Sequence, residues 1–360
     1  ACGASSHRAP FHTARARDAT ENSSFSKVRS QTLRGGALQH APQHQATMSE
    51  PLLTPLDLAF LLSGGVTIAM QLLFFAFAAA LKIDKVTDLA GCTNFVVLAA
   101  GTLFLSFDLI DNRRIVLTSL VCASRLELAA FLFYRVLKRG KDSRFDAVRE
   151  RCLVFLVFWV WQMLWVFVVS TPVIYVNAVT LAEVPPIGAL DWVGWALVVV
   201  GCVLQTAADL HKNAFRSDPA NNKKVCDRGL WKYSRHPNFF GEVIIWWGVF
   251  IAGIPVFVQS PAGFATVVSP VFTMFVLLGF TGIPQAEGKA SARWYDGGES
   301  EAQYVEYFRS TPPLMMCPPA LYRHMPLALK RILCFEFPCY EYKAENSDEE
   351  AAYVADGALR

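Results

Sequence analysis

The chain is short of charge and has no paired cysteines. Asp, Glu, Lys and Arg make up only 18% of its 360 residues against 53% hydrophobic ones, and the mean hydropathy is +0.32. A soluble globular protein carries more charge than this, so the composition places the chain in a bilayer. Its 27 Phe and 9 Trp exclude a disordered or fibrous chain. Nine cysteines stand singly, with no CxxC pair and no His at zinc spacing, which excludes a zinc site and leaves them as packing residues of unassigned redox state. The chain also lacks a helix-opening GxGxxG, a GxxxxGK[ST], an HExxH and a GxSxG. Soluble nucleotide folds, zincins and serine hydrolases therefore have no support.

What is present is a series of long apolar runs. A crossing needs about 20 apolar residues, and Leu58–Leu81, Leu89–Phe107, Ile115–Tyr134, Cys152–Ala182 and Trp192–Ala208 qualify. Val243–Ala286 has no charge over 44 residues, too long for one crossing, and Gln259, Ser260 and Pro261 divide it in two. The expected fold is all-α and polytopic, with about seven transmembrane helices whose C-terminal members form a cofactor cavity.

Loop charge gives an independent test, because cytoplasmic loops collect Lys and Arg. The loops 135–151 and 209–241 carry seven each and the tail after Ala286 eight, while the loops after spans four and six carry none. These basic segments are expected to face the cytosol, and seven crossings fit that parity. Residues 1–47 are Ser-, Ala- and Arg-rich and read as a transit peptide or as sequence upstream of a start at Met48. The expected division is then spans one and two over 48–112, a membrane domain over 113–318, an interfacial segment over 319–340 and an acidic tail over 341–360. The endoplasmic reticulum is the expected membrane, or a plastid or mitochondrion if the leader is a transit peptide.

Polar residues concentrate between spans five and six. Gln205, Asp209, Lys212 and Arg216 recur three or four apart, so on a helix continuing span five they share one face. The bland alternative is a snorkelling helix end whose cations meet lipid phosphates. Arg235, His236, Pro237, Asn238, Phe240, Gly241 and Glu242 follow. Pro237 suits a first helical turn whose free amides favour an anion, although His236 and Glu242 could merely cap the helix and pair with each other. Arg125 and Glu127 are the only charges within span three. They either hold the bundle together or form the proton-donating end of a pocket, and at two residues apart they need separate partners.

The string Gly229-Leu-Trp-Lys-Tyr-Ser-Arg-His-Pro-Asn-Phe-Phe-Gly-Glu242 resembles the signature of the membrane steroid 5-alpha-reductase-like superfamily, in particular an uncharacterised branch with a C-terminal reductase-like domain. The likeness extends from about Ile115 through Arg125-Leu126, Lys138–Phe145 and Ser170–Val173 to Tyr304–Thr311. It implies a membrane reductase that binds NADPH and delivers hydride to a double bond of a lipid or sterol-like substrate. Matched position by position, it assigns Gln205, Asp209, Arg216, Asn238, Glu242, Tyr304 and Tyr307 to the cofactor; Lys212, Arg235, His236 and Phe240 beside them complete the expected cofactor-binding set, and Glu127 and Arg125 are the candidates for the catalytic end. The chain lacks the span-two Glu of steroid reductases and has Cys122 where span three would carry an aromatic residue. Two alternatives follow: an S-adenosylmethionine-dependent enzyme resembling the isoprenylcysteine carboxyl methyltransferases, and a sterol-binding protein without catalysis.

Overall fold

The computed structural model describes residues 53–83, 85–139, 151–222, 224–287 and 301–340. The expected leader, most of the first basic loop and the acidic tail lie outside these residues. The described chain is all helical, with no strand among the described residues. Six long helices come first: α1 (Pro55–Leu81), α2 (Thr87–Leu105), α3 (Asn112–Arg139), α4 (Cys152–Ala178), α5 (Ala189–Ser217) and α6 (Pro237–Gln259). The seventh crossing, Pro261–Ala286, is broken. It passes from a 3₁₀ turn into α7 (Val268–Phe275), a π turn (Val276–Phe280) and α8 (Ile283–Ala286). Beyond it lie α9 (Glu301–Ser310), α10 (Pro319–Arg323) and α11 (Leu327–Cys334). The protein is thus a seven-helix integral membrane protein, as the apolar runs predict.

Local chemistry sets the helix starts. Thr54 and Asp57 form a reciprocal cap on α1, each accepting from the other's backbone N–H at 3.1 and 3.0 Å, with Pro55 in the first turn. Asp191 accepts from the Gly188 N–H at 2.9 Å to open α5. Pro172 and Pro255 sit inside α4 and α6 without ending either helix. With 29 residues, α5 runs for roughly 43 Å against a hydrocarbon thickness of about 30 Å. Its last turns therefore project from the bilayer on the side of the basic loops.

Arg113 and Arg114 precede the apolar run that begins at Ile115, and both lie in the first turn of α3, buried. Arg113 donates to both Asp191 oxygens at 2.6 and 3.0 Å and to the Pro185 and Pro186 carbonyls. Arg114 donates to the Val176 and Val179 carbonyls at 2.8 and 2.9 Å. Together they clasp the end of α4 and the start of α5. Hydrocarbon offers no competing water, so such carbonyl and carboxylate partners are what make two buried guanidinium groups tolerable.

The core joins α2 to α6 through Phe95, Val166, Ile174, Trp195, Trp246 and Val249. Two amide networks lie within it. Gln71 donates to Asn94 at 3.0 Å and accepts from Gln162 at 2.9 Å, while Asn177 donates to Thr102 and Thr118 at 3.1 and 3.0 Å. The closest helix contact is between α5 and α6. A Cβ on Gly201 would stand 2.7 Å from the Gly241 carbonyl oxygen, and one on Gly194 would stand 2.7 Å from that of Gly248. Two glycines seven residues apart on each helix thus allow backbone-to-backbone packing where the candidate site begins. The eight described cysteines are all free; six are at least partly buried, whereas Cys152 and Cys339 are exposed and do not pack.

Candidate functional site

The site is a column of polar groups along the α5–α6 seam, entered from the basic side. One face of α5 carries Arg216, Lys212, Asp209 and Gln205 in inward order, as the three-to-four-residue spacing predicts. Against it stands the start of α6, with His236 at the N-cap and Pro237 in the first turn. The two helices meet closely enough for direct contacts. Asn238 Nδ2 donates to Asp209 Oδ1 at 3.0 Å, and Gln205 Nε2 donates to Glu242 Oε2 at 3.1 Å.

The inner end is an ion pair. Arg125 reaches across from α3 and donates to Glu242 with Nη1 at 2.7 Å and Nη2 at 3.0 Å. Trp246 Nε1 adds a bond to Oε1 at 2.7 Å, so the Glu242 carboxylate accepts four hydrogen bonds. The Arg125 carbon lies 5.2 Å from the Trp246 ring centroid and 5.8 Å from that of Phe95. Glu127 turns toward α5 rather than Glu242, half-buried and bonded to Thr206 near Asp209. The two charges of span three do take separate partners.

The outer end is a cavity of about 80 Å³, lined by Lys212, Arg216, Trp231, Arg235, His236 and Glu287 together with Tyr304, Tyr307, Val225 and Cys226. Lys212 Nζ lies 3.7 Å from the Trp231 ring centroid, and Trp231 Nε1 anchors to the Ala208 carbonyl at 2.9 Å. Tyr307 donates to the Trp231 carbonyl at 2.7 Å. Burial pushes the Tyr307 phenol well above its usual range, so it stays a neutral donor. A second groove, of about 340 Å³, runs from Arg216 to Lys224 and shares Arg216 with the first.

Acids hold the two residues before α6. His236 Nε2 lies 2.8 Å from Glu287 Oε1, which corrects the alternative in which His236 pairs with Glu242. Burial lowers the imidazole affinity for a proton despite this carboxylate, so the ring is neutral and donates from Nε2. Arg235 Nη2 donates to both Glu336 oxygens at 2.6 and 2.7 Å, and its face lies 3.7 Å from the Phe308 ring centroid. Burial alone would weaken its charge, but Glu287 and Glu336 hold its proton more tightly than usual. The Tyr322 hydroxyl also donates to Glu336. Four polar atoms here have no hydrogen-bond partner among the described residues: Asn238 Oδ1, Glu287 Oε2, Arg235 Nε and Arg235 Nη1. The last of these still lies 3.4 Å from Glu287 Oε2 as an ion pair.

The structure therefore gathers ten of the eleven residues assigned to a cofactor into one column. Phe240 is the exception. It lies on the other side of α6, packed with Val243, Leu278, Ile283, Leu314 and Tyr340, because two residues beyond Asn238 a helical side chain points about 200° away. The sequence reading missed Glu336, which sits among Cys334, Phe335 and Phe337. An acid in so apolar a setting was the available signal.

A model of the family described as "Protein of unknown function (DUF1295)" matches residues 74–311. The match takes in the whole column from Arg125 to Tyr307 and stops short of Glu336. No curated protein and no solved structure matches the chain.

Proposed function

The chain belongs to the DUF1295 family, and from that premise we propose that it is a membrane-embedded NADPH-dependent reductase of a double bond in a lipid or sterol-like substrate, related to the steroid 5-alpha-reductases. The observation that supports this most is the outer cavity, where three cations, three aromatic rings and unpartnered buried polar atoms converge above an amide–acid pair. Phosphate groups suit Lys212, Arg216 and the free Nε of Arg235. A carboxamide N–H suits the unpartnered Asn238 Oδ1. At about 80 Å³ the cavity takes a phosphate-sized group, and the adjoining groove at Arg216 extends it for the rest of a dinucleotide.

Bound there, NADPH would supply the hydride for an electrophilic carbon, and a proton from the protein would complete the addition. In this reading Glu127, on the α3–α5 face beside Asp209, holds that proton. Arg125 does not serve as the donor; it positions Glu242 and, through it, Gln205. The Trp231 indole over Lys212 reports on the cavity. Purified protein in detergent should show saturable quenching of tryptophan fluorescence by NADPH but not by S-adenosylmethionine. Quenching by the methyl donor alone would move the protein to the methyltransferase reading, and NADPH binding without turnover of lipid enones would leave the non-catalytic one.

A further inference from the structure

We propose that residues 318–340 form an in-plane bilayer anchor, whose outward apolar row seats in the headgroup layer and thereby holds Glu336 against Arg235. The inward side of this segment is fixed by specific contacts. Cys317 N–H donates to the Tyr233 carbonyl at 3.0 Å, Lys330 Nζ lies 4.6 Å from the Tyr322 ring centroid, and Tyr322 and Cys334 are buried. The outward side is the reverse of a water-facing helix. Leu329, Ile332 and Leu333 fall three and four residues apart on α11 and are 44%, 69% and 55% exposed, with Leu321 of α10 at 60%.

Three observations make the bilayer the occupant. The first is depth: Phe335, Phe337 and Tyr340 pack on Val243 of α6 and on Leu278 and Ile283 of the seventh crossing, and the Tyr340 hydroxyl donates to the Leu278 carbonyl in the π turn. The segment is thus held where two crossings leave the hydrocarbon. The second is continuity, since Phe275 and Phe280 of that crossing expose apolar surface of their own at 56% and 45%. The third is charge. Arg331 is exposed beside the apolar row, as is Arg323, which also pairs with Glu306; cations flanking an apolar row are the pattern by which an interfacial helix meets lipid phosphates. Glu336 follows α11 by two residues, so seating α11 sets the carboxylate on Arg235 at the cavity wall. Only this last link to nucleotide binding rests on the reductase reading.

The test uses the full chain in vesicles of phosphatidylcholine and phosphatidylglycerol, with a benzophenone amino acid replacing Ile332, Leu333 or, as a control, His324. Light should give lipid adducts at 332 and 333 in excess of 324. Adducts to a second protein copy, or equal labelling at all three, would overturn the anchor. In a second variant, Leu329→Asn with Ile332→Asn and Leu333→Asn, trypsin should cut after Arg331 rapidly while the wild-type site stays protected by the vesicle. Equal cleavage in both also overturns it. Neither readout requires NADPH, so failure of the anchor is distinct from failure of the proposed function. If the anchor holds and the reductase reading is right, the triple variant also shows altered NADPH affinity.

Discussion

Replacing Glu242 by Gln keeps the shape of the inner site but removes its charge. Arg125 is fully buried and would keep its positive charge with only amide and indole groups nearby. Breaking a buried pair from one side costs about 3–5 kcal/mol, whereas replacing both partners by apolar residues of similar volume is often neutral or stabilising. With roughly 2 °C of melting-temperature shift per kcal/mol for a chain of this size, Glu242→Gln should melt about 6–10 °C below the wild type. Arg125→Leu with Glu242→Leu should recover most of the loss. The assay is thermal unfolding in detergent, followed by the loss of monodisperse protein on size exclusion. An unchanged melting temperature in Glu242→Gln would refute the account of the pair as a coupled buried unit. The double variant separates stability from binding: it keeps the fold but removes the acceptor of Gln205, so it should bind NADPH poorly, and normal affinity would remove Glu242 and its hold on Gln205 from the site.

Asn238→Ala removes one hydrogen bond, at 3.0 Å to Asp209, from a half-buried side chain. It should cost only about 1 kcal/mol of stability while reducing NADPH affinity at least about tenfold, measured by fluorescence titration. Normal affinity would remove Asn238 from the site. Arg216→Gln should weaken NADPH more than NADH, and equal weakening would place Arg216 away from the extra phosphate. Gly201→Ala forces a methyl group to within 2.7 Å of a backbone oxygen, so it should lose at least about 1–3 kcal/mol in the same melting assay. Gly101→Ala, with nothing within 4 Å, should be neutral.

The parts of this fold that obey a local rule are legible in the order of residues alone. Apart from Arg125 and Glu127 in the third, the crossings are read as uncharged apolar runs, and the stripe from Gln205 to Arg216 follows helical spacing. The pair Arg125–Glu242 is not legible in this way, because its members lie 117 residues apart and nothing near either one names the other. Gly201 and Gly241 are equally silent, since a glycine in a membrane helix signals close approach without naming its partner. Arg113 and Arg114 lie just outside an apolar run, and nothing near them names their distant partners, the Asp191 carboxylate for Arg113 and the Val176 and Val179 carbonyls for Arg114. Phe240 lies inside the most suggestive string of the chain, yet the helix turns it to the other side.

The clasp made by Arg113 and Arg114 has a consequence for biogenesis. The carbonyl and carboxylate partners of Arg113 at Pro185, Pro186 and Asp191 lie 72 to 78 residues further along the chain, so they do not exist when α3 leaves the ribosome. Until the start of α5 has been made, Arg113 stays uncovered at the end of α3 opposite the basic loops, where the orientation rule disfavours it, whereas Arg114 already has the Asp111 carboxylate and the Leu109 carbonyl beside it. The settled position of α3 therefore depends on α5, and the first five crossings are expected to assemble together. Asp191 is in this sense an assembly checkpoint, and its loss should appear as α3 inserted the wrong way round before it appears as any change in the finished protein.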